Sequence, residues 1–205
     1  MINKLKFAVT VVFVAIPLCF SMAPARAQEG AALGIFFGAL SLAQSQVVSA
    51  EANYYDAIGM GKEAQQYNRL AQDFKSGSLG GQGGVDTFTQ VNARLANDIY
   101  ELQAAGAYPT VRQRELAKRA DEQLLIAKLA IVAAAASGAF AAVNSNGSVL
   151  EKILLGVSLA AIGIKVGNSV GDVIEASNAY RDFELGSASG FQTASKEIMP
   201  KFLDL

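Results

Sequence analysis

The residue types that most often carry chemistry are scarce in this 205-residue chain. It has no His, and its single Cys, Cys19, lies within the first twenty residues. Beyond that point Ser-His and Cys-His catalysis are excluded, as are the usual zinc and haem ligand sets. Carboxylates remain. Asp98 and Glu101 share a helix face at i, i+3, and so do Asp172 and Glu175. The di-metal sites of helical bundles also need Glu-x-x-His pairs, and there are none. Asp98 and Glu101 alternate with apolar positions and read as surface. Asp172 and Glu175 follow a run of glycines and mark a helix returning to water.

Two glycine-rich segments could be mistaken for phosphate cradles. Ser76–Gly84 (SGSLGGQGG) lacks the Lys-Ser/Thr of a P-loop and follows no strand. Gly61-Lys62 is followed by Glu63 and fails the same test. The first reads as a flexible loop. No catalytic residue, cofactor or metal ligand is therefore assigned, and the chain is expected not to be an enzyme. The aromatic pairs Phe36-Phe37 and Tyr54-Tyr55 have no converging polar groups and read as core or interface.

Residues 1–27 have the pattern of a secretory signal. Lys4 and Lys6 form the basic start, Phe7–Phe20 is a short apolar run, and Ala25-Arg26-Ala27 is an A-x-A site. Cleavage is expected before Gln28. Pro17-Leu18 before Cys19 lacks the small residues a lipidation site needs. The remainder, 28–205, has the size of one domain and holds no Cys for disulfides. It keeps 14 basic against 18 acidic residues, a net −4, which argues against a nucleic-acid partner.

Helical periodicity runs through that domain. Gly30–Ala43 is apolar, with Gly30, Gly34 and Gly38 in one row. Gln46–Lys75 continues as a more polar helix with a stripe of Ala57, Met60, Ala64, Tyr67, Ala71 and Phe74. Gly59 and Gly61 inside it are read as positions where a neighbouring helix comes close, in preference to a hinge. Asp86–Ala105 is the next helix, with Thr87 and Gln90 as a capping box, Phe88, Val91, Leu95, Ile99 and Leu102 inward, and Gly106 as its end. Pro109 suits the first turn of a long helix reaching Val143. Its charged first half, Arg112 to Glu122, mixes signs. It reads as a solvated face with Glu115–Lys118 and Glu115–Arg119 pairs, not as a basic patch. Leu116, Ala120, Leu124, Ala127, Ile131, Ala134 and Gly138 form its seam.

The most distinctive stretch is 124–174. An apolar arm ends in the turn Asn144–Ser148, Ser148 and Glu151 form a second capping box, and a second apolar arm follows. A short connection makes the two arms antiparallel neighbours. The first carries the small row Ala134, Gly138, Ala142, and the second carries Gly156, Ala160, Gly163, Gly167 and Gly171. Such small-xxx-small rows permit close helix approach. The second arm is expected to end near Tyr180, followed by a GSASG loop at Gly186–Gly190 and a docking tail within 186–205.

Leu129–Leu150 is free of charge, so a membrane location must be weighed. Five strongly apolar residues of the first arm supply roughly −2.5 kcal/mol on an insertion scale, while Lys165 at the centre of the second costs about 2.5–3.5 kcal/mol. Neither arm inserts with a comfortable margin. The expectation is an all-α bundle of about four to five helices, exported to the periplasm or beyond the cell. Its expected role is structural or interactive within the envelope, packing with copies of itself or with another envelope protein. The alternative is a membrane-inserting or pore-forming protein that uses the 124–174 hairpin.

Overall fold

The computed structural model describes residues 25–79, 95–104 and 109–203, and the side-chain surroundings of 29–79, 95–104 and 109–186. Five helices are described: α1 (Ala25–Ala57), α2 (Gly61–Ser76), α3 (Leu95–Ala104), α4 (Val111–Asn144) and α5 (Val149–Leu203). No strand occurs among the described residues. The expected targeting segment up to residue 24, Phe88, Val91, the Thr87–Gln90 box and Gly106 lie outside them. The cut expected before Gln28 would fall in the first turn of α1.

The largest interface joins α1 to α4. Each helix brings a seam with alternating steps of three and four. On α1 it is Phe36, Leu40, Ala43, Val47, Ala50, Tyr54 and Ala57, all buried. On α4 it is Ala117, Ala120, Leu124, Ala127, Ile131, Ala134, Gly138 and Ala141, buried except for the partly covered Ile131. This is the 3.5-residue spacing of helices that pack side chains into facing holes. The helices run antiparallel. Phe36 lies against Gly138, Asn53 Nδ2 donates to Gln123 Oε1 (2.8 Å), and Tyr54 Oη donates to Asp121 Oδ1 (2.6 Å). The largest side chains of α1 face mostly Ala and Gly on α4, so bulk on one helix is matched by its absence on the other.

A Cβ at Gly138 would stand 2.9 Å from the Phe36 ring and 3.6 Å from Leu159 Cβ. This corrects the expectation for the first arm. Its small row was matched to the glycines of the second arm, but Gly138 primarily receives an aromatic ring from α1. The reason is volume: the first apolar stretch of the domain brings the large side chain that a glycine notch can accept.

α5 returns antiparallel to α4. Gly156 sits by Ala142, Ser177 Oγ donates to Asp121 Oδ1 (2.6 Å), and Arg114 pairs with Glu184 at 3.5 Å. Its inward face is Leu159, Val166, Val170, Val173, Ala176 and Tyr180. α1 and α5 are consequently parallel, and the Tyr54 and Tyr180 rings meet at 5.9 Å. α2 folds back along α1 through the Tyr55–Tyr67 ring contact (4.9 Å) and a Ser41 Oγ bond to the Phe74 carbonyl (2.7 Å). α3 packs chiefly on α5, burying Leu95 and Ile99.

Helix ends follow local chemistry. Ser148 and Glu151 form the expected box, with Ser148 N–H donating to Glu151 Oε2 at 2.6 Å. α4 begins two residues after Pro109. Thr110 is the cap, accepting from Gln113 N–H at 3.3 Å while its own N–H donates to Gln113 Oε1 at 2.7 Å. Gly59 is neither a kink nor a close approach. With φ +84° it ends α1 in a Schellman closure, Met60 N–H to Tyr55 O (2.8 Å), and the chain reverses. A Cβ there would meet nothing within 4 Å, so the glycine serves the left-handed backbone alone. Gly186–Gly190 is helical, because α5 continues to Leu203. Glycine costs a helix about 1 kcal/mol against Ala but does not forbid it, and no Pro intervenes before Pro200.

These contacts separate two kinds of glycine. Gly138→Leu is expected to destabilise by about 1–3 kcal/mol through overpacking. Gly167→Ala, with nothing within 4 Å of its Cβ, should stabilise by up to ~1 kcal/mol through helix propensity. Thermal unfolding followed by circular dichroism checks both, at roughly 2–4 °C per kcal/mol for a chain of this size.

Candidate functional site

Three features stand apart from ordinary core packing. The first is an apolar cleft of about 360 Å³ between α4 and α5. Ala135, Gly138 and Ala139 form one wall, Gly156, Ala160 and Gly163 the other, with Phe36 contributing from α1. Small side chains on both helices leave the gap. The structure thus brings five of the expected packing residues into or beside one cleft: Gly138, Gly156, Ala160, Gly163 and the adjacent buried Ala142. Ala134 is buried against the core seam. At Gly30, Gly34, Gly38, Gly163, Gly167 and Gly171 a Cβ would meet nothing within 4 Å, so among the described residues no neighbouring helix presses on them.

The second is an outward face on the first half of α5. Leu150, Ile153, Val157 and Ile164 are each between 56 and 66 % exposed, although all are large and apolar. With Ala160, Gly167 and Gly171 they fall at alternating steps of three and four, forming a second heptad seam that no helix covers among the described residues, its Ala160 and Ile164 also edging the α4–α5 cleft. It spans about 30 Å at 1.5 Å per residue. Val143, Val149 and Leu154 extend the exposed apolar surface at the same end. The sequence placed Gly167 and Gly171 in a packing row but did not reveal that the row points outward. Periodicity reports a stripe, not which of two stripes the rest of the chain covers.

The third is polar. Asp121 Oδ1 accepts from both Tyr54 Oη and Ser177 Oγ, so one carboxylate oxygen ties α1, α4 and α5 together. Beside it opens a pocket of about 260 Å³, lined by Tyr54, Arg114, Lys118, Asp121, Tyr180, Arg181 and Glu184 among others. Glu115 forms neither expected pair, with Lys118 or with Arg119, among the described residues; the charged stretch instead pairs Arg114 with Glu184 across helices. Burial, Asp121 and the loss of solvent hold the Tyr54 phenol far above its usual range, and burial pushes Tyr180 up to about 12, so both stay protonated donors.

Sequence reading also missed Glu51. It lies on the inner face of α1, fully buried, and neither carboxylate oxygen is hydrogen-bonded among the described residues. Burial, reinforced by the negative charge of Asp172, raises its pKa well above the ordinary carboxylate value. Gln44, one heptad earlier, likewise has a buried, unpartnered Nε2. Of the carboxylate pairs weighed from sequence, Glu101, Asp172 and Glu175 are exposed and Asp98 is partly covered. Among the described residues no three acidic side chains gather in a group that could hold a metal ion.

The pH dependence of Glu51 has a definite sign. Below about pH 4.3 it is protonated folded or unfolded; above that the unfolded chain releases the proton while the folded chain retains it. Its contribution to stability therefore falls as pH rises. Glu51→Gln should melt higher than the parent at pH 7–8, because the amide has no proton to be held against release, a cost of roughly 1.4 kcal/mol per pH unit above the unfolded value. The difference should shrink toward pH 4. Melting curves of the two proteins across pH 4–8 check this, since other groups titrate alike in both.

In comparison with known proteins, no family model matches the sequence, and no curated protein or solved structure is similar to it.

Proposed function

We propose that the chain is an exported, non-enzymatic interaction protein of the cell envelope that assembles with a second copy of itself. The carrying observation is the unpartnered outward seam of α5, Leu150, Ile153, Val157, Ala160, Ile164, Gly167 and Gly171. A heptad seam is the surface one helix offers another. Its glycines would let the partner backbone approach closely.

Magnitudes favour a use for this face. Each exposed side chain offers on the order of 100 Å² of apolar surface at about 25 cal/mol per Å². Leu150, Ile153, Leu154, Val157 and Ile164, with Val143 and Val149, then present roughly 700 Å², beyond the few hundred usual for a contiguous patch on a monomer. A stable interface buries about 800 Å² per partner. The export reading rests on the leader-like residues 1–27, and the non-enzymatic reading on the absence of His and of any Cys thereafter.

A second reading is supported by one specific observation. Glu29–Ala57 and Val111–Asn144 are long and apolar enough to cross a membrane by length and composition, with under half of each apolar window buried. A core helix and a signal sequence pass the same test. In this reading the Leu124–Ile174 segment, with its charge-free interval Leu129–Leu150, enters a bilayer.

Sedimentation of the parent protein and of Val157→Glu with Ile164→Glu separates the readings. Self-assembly predicts an oligomer in the parent and, in the double variant, a monomer that keeps its helical circular dichroism. A monomeric parent that floats with lipid vesicles would replace the first reading with the second.

A further inference from the structure

We infer that the pocket between α4 and α5 near their Arg114 and Glu184 ends is a binding site for a phosphate group. The starting point is Tyr180. Its ring is buried, and its hydroxyl is shut off from solvent with no hydrogen-bond partner, although it borders a 260 Å³ pocket. A buried hydroxyl left without a partner among the described residues costs free energy, and here it belongs to a residue of the pocket wall, where a ligand atom could satisfy it. The neighbouring Tyr54, 5.9 Å away between ring centroids, shows the contrast, since its hydroxyl is satisfied by Asp121.

The charges around the opening define what that ligand is. Arg114, Lys118 and Arg181 line it against Asp121 and Glu184. Glu184 is paired with Arg114, and Asp121 already accepts two hydrogen bonds on one oxygen. Lys118 and Arg181 form no ion pair among the described residues. The lining therefore carries three cations against two carboxylates, a net charge of +1, beside a phenol donor. A phosphate, with more acceptor oxygens than a carboxylate, matches a phenol donor and two Arg forks better. The volume exceeds that of the bare ion and leaves room for an ester substituent.

The arrangement is built by tertiary packing. Lys118 is one turn along α4 from Arg114, while Tyr180 and Arg181 come from α5 and Tyr54 from α1. The Asp121 bridge to Tyr54 and Ser177 holds the three helices in register at the pocket wall. The site lies far along α4 from the exposed apolar end of α5 and does not depend on assembly through that face.

Calorimetric titration of the purified protein with inorganic phosphate and with glycerol phosphate tests the site, and flotation with phosphatidic acid against phosphatidylcholine vesicles identifies the source of the group. Saturable binding of glycerol phosphate without flotation indicates a soluble ester; selective flotation with phosphatidic acid indicates a lipid headgroup. Tyr180→Phe should weaken binding about tenfold, the loss of one hydrogen bond to a charged acceptor. Lys118→Gln and Arg181→Gln should each weaken it several-fold, and binding should fall with added salt. Melting of Tyr180→Phe without ligand shows whether it is folded, and a merely structural hydroxyl would alter that melting while leaving phosphate affinity unchanged. No binding of either phosphate probe or of phosphatidic acid by folded parent protein overturns the site. So does unchanged affinity in folded Tyr180→Phe and Arg181→Gln.

Discussion

The antiparallel contact of α1 with α4 is the constraint on which the other helices depend. It works because side-chain volume is divided unequally. α1 supplies Phe36, Leu40, Val47 and Tyr54, and α4 answers with Ala117, Ala120, Ala127, Ala134 and Gly138. Large residues on both helices would force the axes apart. Small residues on both would leave a void, as they do between α4 and α5, where Ala135, Ala139, Gly156, Ala160 and Gly163 line a cleft. Dense packing is thus reached on one side of α4 and relaxed on the other.

The relaxed side explains where the candidate sites lie. At one end of the α4–α5 pair the packing residues are small and the apolar surface of α5 turns outward. At the other end the pair is joined by polar side chains around Asp121, Arg114 and Glu184. The exposed Arg114–Glu184 pair contributes little to stability, about 0–1 kcal/mol. The Asp121 bridge is of a different kind, because its donors come from two further helices and one of them, Tyr54, is buried.

Glu51 runs against the packing logic of α1. Its neighbours along the helix face are buried apolar residues, and its carboxyl has no partner. A sequence optimised for stability alone would place a hydrophobic residue there. Burial favours its neutral form, so the cost appears as a pH dependence of stability.

Much of this was legible in the chain itself. Helical periodicity, the α4 seam from Leu116 to Gly138, the Ser148–Glu151 box and the all-helical class depend on spacing and local hydrogen bonds, which are sequence properties. Gly59 was visible as a glycine but not as a reversal, because a Schellman closure and a tolerated helical glycine use the same residue. The same ambiguity hid the continuation of α5 through Gly186–Gly190. What tertiary structure decided was pairing. Repeating small residues say that a helix can be approached closely, and only the three-dimensional arrangement shows Phe36 claiming Gly138 while Gly163, Gly167 and Gly171 meet no close neighbour. The pocket at Tyr180 was beyond sequence reasoning for the same reason: Tyr54, Arg114 and Arg181 are far apart in the chain, and volume matching between helices, which no local pattern encodes, brings them together.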